Sequence, residues 1–168
     1  MKYFIGIDPG LHGGIAILEQ SGKPAAVHAM PTLKLGDKDT LDLNEIRDIF
    51  RFYDSPTETG NGDVKIVVIE QQRAMPKQGV TSTFTIGKGY GQLMGICAGM
   101  SIPYTIVQPR EWQKKMFGGM PKGDGKKHSI LIARQLFPNT IFKKTPRCTS
   151  IHDGMTDAIL IAEYARCQ

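Results

Sequence analysis

One stretch of the sequence restricts the possible folds more than any other. Residues 64–69 read VKIVVI, which is rich in β-branched side chains, is almost uniformly apolar and runs directly into Glu70. A strand with apolar side chains on both faces has to be covered on both faces, as in the middle of a sheet that carries helices on each side. The sequence therefore predicts a layered α/β domain built around this strand.

The other apolar patterns supply the elements around this strand. Apolar runs at 3–9 and 13–19 are joined by a short turn and predict a hairpin, and 24–30 predicts a third strand. Residues 31–41 are polar and irregular, and helical spacing begins at Leu43. The later predicted elements are helix 81–100, strand 102–107, and helices 109–117, 126–137 and 152–166. An early hairpin followed by alternating strands and helices predicts a mixed sheet with helices on both faces.

Length and composition favour one domain in a reducing compartment. The 168 residues, 40% of them apolar, are enough for one core. No apolar run approaches the ~18 residues of a membrane span, and the N-terminus lacks the pattern of a secretion signal, so we expect no membrane association and no secretion. Cys97, Cys148 and Cys167 lie far apart and form no zinc or disulfide pattern, which fits the cytoplasm.

The positive charge of the chain is concentrated in one segment. Residues 108–148 carry ten lysines and arginines but only Glu111 and Asp124 as acids, a net charge of +8, whereas the whole chain has +5. The rest of the sequence is therefore acidic overall. A charge difference of this size indicates a polyanionic partner on one face, most simply a nucleic acid, although a solvated charged surface is the plainer explanation.

The predicted helix over 81–100 contains a regular series of glycines. Gly87, Gly91, Gly95 and Gly99 recur every four residues and would form a ridge along one side of the helix. Each glycine costs a helix about 1 kcal/mol relative to alanine. Such a ridge allows another backbone to approach closely. We expect that neighbour to be the underlying sheet or a second subunit rather than a ligand.

Acidic residues stand at the ends of predicted elements. Asp8 ends the first strand, Glu70 ends the apolar strand, and Asp157 lies in the last helix, one turn after Asp153. Carboxylates that converge at such positions cannot all stay ionised without a cation. Hard oxygen ligands suit Mg²⁺ or Mn²⁺, and two such ions about 4 Å apart can assist phosphodiester hydrolysis. Each acid alone could equally be a turn or capping residue, and Asp153 in particular could be an N-cap.

Three segments together resemble the motifs of a known family. IGIDPG at 5–10, VVIEQQ at 67–72 and HDGMTDAILIAEY at 152–164 are similar to the acidic motifs of RuvC-type Holliday junction resolvases, within the ribonuclease H-like nuclease superfamily. The resemblance covers nearly the whole chain. It implies a single nuclease domain, residues 1–168. It implies a five-stranded mixed sheet, with the first three strands antiparallel, flanked by helices. It also implies a homodimer that cuts four-way DNA junctions by paired symmetrical nicks with two Mg²⁺ ions, for which Mn²⁺ could substitute.

The resemblance assigns metal-binding and catalytic roles to four acids. Asp8 would bridge both ions, with Glu70 and Asp157 as further ligands. The fourth acid of the bacterial enzymes stands three residues before the last one, where this chain has Gly154. Asp153 is the preferred substitute and His152 the alternative. A nearby lysine would assist the reaction, and Lys122 and Lys126 are the candidates.

The resemblance also indicates DNA-binding residues. Arg73 stands where the bacterial enzymes have an aromatic residue that stacks on bases, so it would stack on a base or contact a phosphate. The basic residues expected to contact DNA are Arg73, Arg110, Lys114, Lys115, Lys122, Lys126 and Lys127. We expect Trp112, the only tryptophan, to be a core residue rather than a base-stacking one.

Three other functions fit parts of the sequence. A related nuclease could act on other branched DNA or on RNA–DNA hybrids, because the metal chemistry is shared. A non-cleaving junction-binding protein would keep the charge but lose an acid, whereas Asp8, Glu70 and Asp157 are all present. Actin-like and sugar-kinase ATPases also open with a strand running into such a glycine turn, but they need roughly twice this length and a phosphate loop.

Overall fold

The chain folds around one central sheet. A computed structural model describes residues 1–55, 62–118 and 124–168. The strands are β1 (Lys2–Asp8), β2 (Gly14–Glu19), β3 (Pro24–Ala29), β4 (Thr32–Leu35), β5 (Lys38–Leu41), β6 (Asp63–Glu70) and β7 (Tyr104–Val107). The helices are α1 (Leu43–Tyr53), α2 (Val80–Gly99), α3 (Pro109–Met116), α4 (Gly125–Leu136) and α5 (Asp153–Arg166).

The main sheet has five strands in the order β3-β2-β1-β6-β7. β1 pairs antiparallel with β2, and β2 with β3, whereas β1 pairs parallel with β6, and β6 with β7. The predicted mixed sheet, with its first three strands antiparallel, is therefore confirmed. β1 rather than β6 takes the middle position. β6 is apolar on both faces only near its end, where Val67, Val68 and Ile69 are buried, and its first residue Asp63 is exposed.

Helices cover both faces of the sheet, as the apolar strand requires. On one face, α1 contributes Ile46 and Phe50 and α2 contributes Leu93 and Cys97 to a core with the β1 and β2 isoleucines. On the other face, α3, α4 and α5 form a second core around Trp112. α5 is the most buried helix, because its middle residues are almost all apolar and lie directly on the sheet.

Backbone rather than side chains sets the distance between β1 and α5. A Cβ at Gly6 would lie 2.2 Å from the Ala162 nitrogen and 2.3 Å from the Ala158 oxygen. Any side chain at this position would force the helix away from the sheet. Gly6 therefore allows the close approach that brings the end of β1 near the start of α5.

Residues 31–41 differ from the sequence expectation. The stretch 31–41, expected to be irregular, forms the separate hairpin β4–β5. Gly36 makes its turn possible with a φ of 61°. The hairpin escapes pattern analysis because its side chains are mostly exposed, so little apolar alternation marks it.

Helices α2, α4 and α5 each lie within one residue of their predicted limits.

The glycine ridge of α2 does not pack on the sheet. A Cβ at Gly87, Gly91, Gly95 or Gly99 would meet no atom of the described residues within 4 Å. The expectation of sheet packing is therefore wrong, and the ridge faces open space. α2 reaches the core through its other side, by Leu93 and Cys97. Among the described residues, none of the helices combines the length and the apolar character that crossing a membrane would take.

Candidate active site

Two acids meet at the carboxyl ends of neighbouring parallel strands. In the register of β1 and β6, Ile7 pairs with Ile69, so Asp8 and Glu70 follow at the same level of the sheet. Each side chain comes directly after apolar residues that hold its strand in the core. The topology therefore brings together two acids that lie far apart in the sequence.

Helix α5 adds Asp153 and Asp157 beside this strand end. Asp8, Asp153 and Asp157 line one cleft of about 500 Å³. Glu70 lies at its side, close enough for its charge to act on Asp8. The structure thus gathers all four predicted acids into one cluster, which we call the carboxylate cluster: Asp8, Glu70, Asp153 and Asp157.

The missing acid at position 154 has a steric cause. A Cβ on Gly154 would lie 2.4 Å from the His12 oxygen and 2.5 Å from the Gly13 Cα. The turn between β1 and β2 therefore presses against the first turn of α5. No side chain fits at position 154, which explains why the fourth acid cannot stand there.

Burial and mutual repulsion raise the pKa values of this cluster. Burial raises the pKa of Asp8 to about 7, and the charges of Glu70 and Asp157 add to the rise. Burial also raises the pKa of Asp157 to about 6, although the Ser129 hydroxyl opposes this. The pKa of Glu70 is raised by burial as well, against the hydrogen bond from Trp112. A cation bound among these groups would reverse the shifts.

The donor set fits a divalent cation. Asp157 Oδ1 is buried and has no hydrogen-bond partner among the described residues, which is costly for a carboxylate unless a cation pairs with it. All four groups are hard oxygen donors, which suit Mg²⁺. Within the described ranges, no three His, Cys, Asp or Glu side chains stand close enough to ligate one ion as they are oriented. Binding would therefore need the side chains to turn towards the ion.

Asp153 differs from the other three acids because it forms an ion pair. Its Oδ2 lies 2.6 Å from Lys126 Nζ, and this contact holds the pKa of Asp153 below its usual range. The capping role falls to His152, whose Nδ1 accepts a hydrogen bond from the Met155 N–H at 3.3 Å. The alternative that Asp153 is the N-cap is therefore wrong. Its Oδ2 pairs with Lys126, and its Oδ1 accepts a hydrogen bond from the Gly154 N–H at 3.1 Å. The choice of Asp153 rather than His152 as the fourth acid stays a prediction.

Several residues around the cluster escaped the sequence analysis. Gln72, Ser82 and Thr85 line the same cleft, the last two from the first half of α2. Ser129 of α4 is buried next to Asp157. Ser129 could have been found from its spacing, since it stands three residues after Lys126 on the same face of a helix. The other three depend on tertiary contacts that no local pattern reveals.

Trp112 is buried, as expected, and also touches the cluster. It is fully buried, and its indole Nε1–H donates a hydrogen bond to Glu70 Oε1 at 2.8 Å. α3 brings it there because β7 ends beside Glu70 in the parallel register, and α3 begins two residues later at Pro109. The predicted core position of Trp112 is therefore confirmed, whereas nothing in the sequence indicates this bond.

The predicted DNA-binding residues that the structure describes lie on several separate surfaces. Lys126 lines the carboxylate cleft, whereas Lys127 lies with Arg134 on the outer side of α4. Arg73 and Arg110 line a second cleft of about 410 Å³ that borders Glu70. The Arg73 guanidinium donates to Gln71 Oε1 at 2.8 Å.

The α3 lysines point elsewhere, and one predicted residue lies outside the described ranges. Lys115 donates to the Cys167 carbonyl at 2.7 Å and lies 5.3 Å from the centre of the Tyr164 ring, so it contacts the end of α5 opposite the acids. Lys114 is exposed. Lys122, the other candidate for a catalytic lysine, falls outside the described residues.

The fold is similar to solved structures of RuvC. One is Thermus thermophilus RuvC in complex with a Holliday junction substrate, with 14% identity, a TM-score of 0.56, and coverage of 96% of this chain and 90% of that chain. Another Thermus thermophilus RuvC structure has 18% identity and a TM-score of 0.54, covering 97% of this chain and 95% of that one. No protein-family model matches the sequence, and no curated protein matches it. The two structural similarities show that the chain has the ribonuclease H-like fold of RuvC over nearly its whole length.

Proposed function

We propose that this protein is a metal-dependent endonuclease that resolves four-way DNA junctions. The observation that carries the proposal is the carboxylate cluster, in which four acids from two strand ends and one helix meet beside a lysine. The RuvC-like fold supports the same function, because one of the similar structures holds a Holliday junction substrate. The basic segment, residues 108–148, carries the positive charge that binding to DNA phosphates requires.

In this proposal Asp8, Glu70, Asp153 and Asp157 hold two Mg²⁺ ions, for which Mn²⁺ can substitute. When bound, the ions supply Lewis acidity and an activated water for phosphodiester hydrolysis. The protein contributes the positions from which the carboxylates would reach the ions, set by the strand ends of β1 and β6 and by the first turns of α5. The buried, unpaired Oδ1 of Asp157 is the clearest sign that a cation belongs here.

Lys126 would act on the phosphate in this reaction. Its ammonium group lies in the cleft next to Asp153 and is largely exposed, with 74% of its side-chain surface accessible. A fixed positive charge beside the scissile phosphate stabilises the negative charge that develops in the transition state. Gln72, Ser82 and Thr85 could donate hydrogen bonds to the flanking phosphates from the opposite wall.

The DNA arms would then extend over the basic surfaces on either side of the cleft. Arg73 and Arg110 would contact DNA beside Glu70, and Lys127 along the outer side of α4. Lys114 and Lys115 would contribute at the far end of α3, and Lys122 stays in the proposal as the second candidate for the catalytic lysine. Affinity that depends on so many phosphate contacts should fall steeply with salt.

Paired nicking requires two active sites, so we propose a homodimer that forms through α2. The four ridge glycines face open space, and the first half of the helix exposes apolar surface, including Phe84 with 71% of its surface accessible. A glycine ridge allows two helices to approach closely.

The three cysteines are free in the monomer, which fits the proposed location in the cytoplasm of a bacterial or phage-infected cell.

The decisive experiment offers the purified protein three substrates with Mg²⁺: a synthetic four-way junction, a linear duplex and an RNA–DNA hybrid. We expect symmetrical nicks in the junction and none in the other two. Asp8→Asn and Asp157→Asn should abolish cleavage while junction binding survives. Cleavage of the hybrid would favour the related nuclease activity, and junction binding without cutting by the wild type would favour a binding protein.

A further inference from the structure

The tryptophan beside the carboxylate cluster has a more specific role than filling the core. Trp112 is fully buried, and its only polar atom, the indole Nε1–H, donates to Glu70 Oε1 at 2.8 Å. The two residues are 42 positions apart, so the contact arises from the topology and not from local chain geometry. A buried indole N–H needs an acceptor, but a backbone carbonyl would satisfy it without bringing a carboxylate into the core.

The surrounding rings hold the indole in place. Trp112 packs edge-to-face on Phe117, with the ring centres 5.5 Å apart, and Phe117 packs in the same way on His128 at 5.8 Å. These contacts connect α3 to α4. Because the indole cannot turn without breaking this arrangement, the position of its N–H is fixed by the second core.

The bond restricts Glu70 in a way that a metal ligand requires. A glutamate side chain has three rotatable bonds, and ordering it costs entropy. One oxygen of Glu70 is already held by a rigid donor, which leaves the other oxygen for a cation. In many metal sites a hydrogen bond from a neighbouring group orients a ligand in this manner, and its loss weakens metal affinity or activity by about 10- to 100-fold.

We propose that Trp112 is a positioning residue for Glu70, holding one carboxylate oxygen so that the other is oriented for a divalent cation. The inference rests on the proposed metal-dependent function and adds a residue to it. Trp112 does not touch the metal or the DNA in this scheme. It acts through Glu70 alone.

The test separates the donor from the ring. Trp112→Phe keeps an aromatic side chain in the core but removes the N–H, whereas Phe142→Leu loosens the packing of the same core and keeps both the N–H and the Phe117 ring beside it. We expect Trp112→Phe to need at least tenfold more Mg²⁺ for half-maximal junction cleavage, with junction binding unchanged. Phe142→Leu should lower the thermal midpoint yet keep the Mg²⁺ requirement of the wild type. Equal Mg²⁺ requirements in Trp112→Phe and the wild type would overturn the proposal.

A second readout needs no change to Trp112 and no DNA. Because the chain has one tryptophan, it gives one indole N–H signal in a ¹⁵N-correlated NMR spectrum. We expect Mg²⁺ to shift this signal in a saturable manner in the wild type, and not in Glu70→Gln. An unmoved signal, in protein that calorimetry shows to bind Mn²⁺, would overturn the positioning role and leave the nuclease proposal intact. Wild-type protein that neither binds Mn²⁺ nor cleaves a junction would instead refute the proposed function.

Discussion

Lys126 on α4 reaches Asp153 at the start of α5, with its Nζ 2.6 Å from Oδ2. The contact is an ion pair between the basic segment, residues 108–148, and the carboxylate cluster, the two features that stand out in the sequence. Both side chains are accessible, at 74% and 38% of their surface, so solvent screens the attraction and the pair adds little to stability. Its importance should therefore lie in the reaction.

Replacing Lys126 should impair cleavage without unfolding the protein. We expect Lys126→Gln to lower the single-turnover rate of junction cleavage by about 100-fold, because a charge that stabilises the transition state is lost. The free energy of unfolding should stay close to that of the wild type, because solvent screens an exposed ion pair. Lys65→Gln is the matched control, since Lys65 lies on β6 five residues before Glu70. Equal rates in the two variants would contradict the role of Lys126.

The carboxylate cluster should make the metal-free protein less stable as pH rises. The pKa values of Asp8, about 7, and Asp157, about 6, lie above those of an unfolded chain, so the folded state binds more protons. This contribution to stability is complete below about pH 4 and is lost as pH rises through 6 and 7. In EDTA, Asp8→Asn should therefore gain on the order of 1 kcal/mol over the wild type at pH 8, about 2–4 °C in Tm, and little at pH 5.

The same linkage predicts how Mg²⁺ affinity changes with pH. Protonated carboxyl groups are poor ligands, so affinity should fall as pH is lowered through 7 and 6, and binding should release protons. Calorimetry with Mn²⁺ in buffers of different ionisation enthalpy measures this release. For the stability prediction, the contradicting outcome is a Tm difference between Asp8→Asn and the wild type that stays constant from pH 5 to 8. That result would argue against a link between protonation of Asp8 and folding.

The glycine ridge offers a test in which monomer and dimer respond in opposite directions. A Cβ at Gly91 meets nothing within 4 Å, so Gly91→Ala should stabilise an isolated helix by about 1 kcal/mol. If a second subunit packs on the ridge, Gly91→Ala weakens the dimer slightly and Gly91→Leu weakens it strongly. Sedimentation at several concentrations measures the shift. An unchanged dimer in Gly91→Leu would place the interface elsewhere.

A side chain at position 154 should disturb the active site. Gly154→Ala would bring its Cβ within 2.4 Å of the His12 oxygen, and we expect a loss of about 1–3 kcal/mol of stability from the forced shift. Gly154→Asp, which would restore the acid of the bacterial enzymes, should be worse. Gly10→Ala is the control in the same turn, because its nearest neighbour would lie at 3.7 Å. Thermal unfolding compares all three.

The sequence predicted those parts of the site that depend on where elements end. Asp8 and Glu70 follow apolar strands, and parallel pairing alone brings such residues to one edge of a sheet. The place of Asp157 was predictable because apolar residues on both sides of it mark its helix as buried. The five-stranded sheet was predictable for the same reason, since each strand is marked by its own apolar run.

The parts that could not be predicted depend on close approach between distant segments. The bond from Trp112 to Glu70 exists only because β7 pairs with β6 and α3 turns back over the strand end. The glycine at position 154 is explained only by the backbone at His12 and Gly13. The hairpin β4–β5 was missed because exposed polar strands leave little periodic signal.

In the proposed metal site, the contact at Gly6 would also decide which ligands can adapt to a different cation. Main chain touches main chain between β1 and α5, so substitutions cannot readily change the separation of Asp8 from Asp157. Glu70 and Asp153 are held instead by the side chains of Trp112 and Lys126. Selectivity between a small ion such as Mg²⁺ and a larger one such as Ca²⁺ should therefore be tuned through these two supporting residues, while the other half of the site stays invariant.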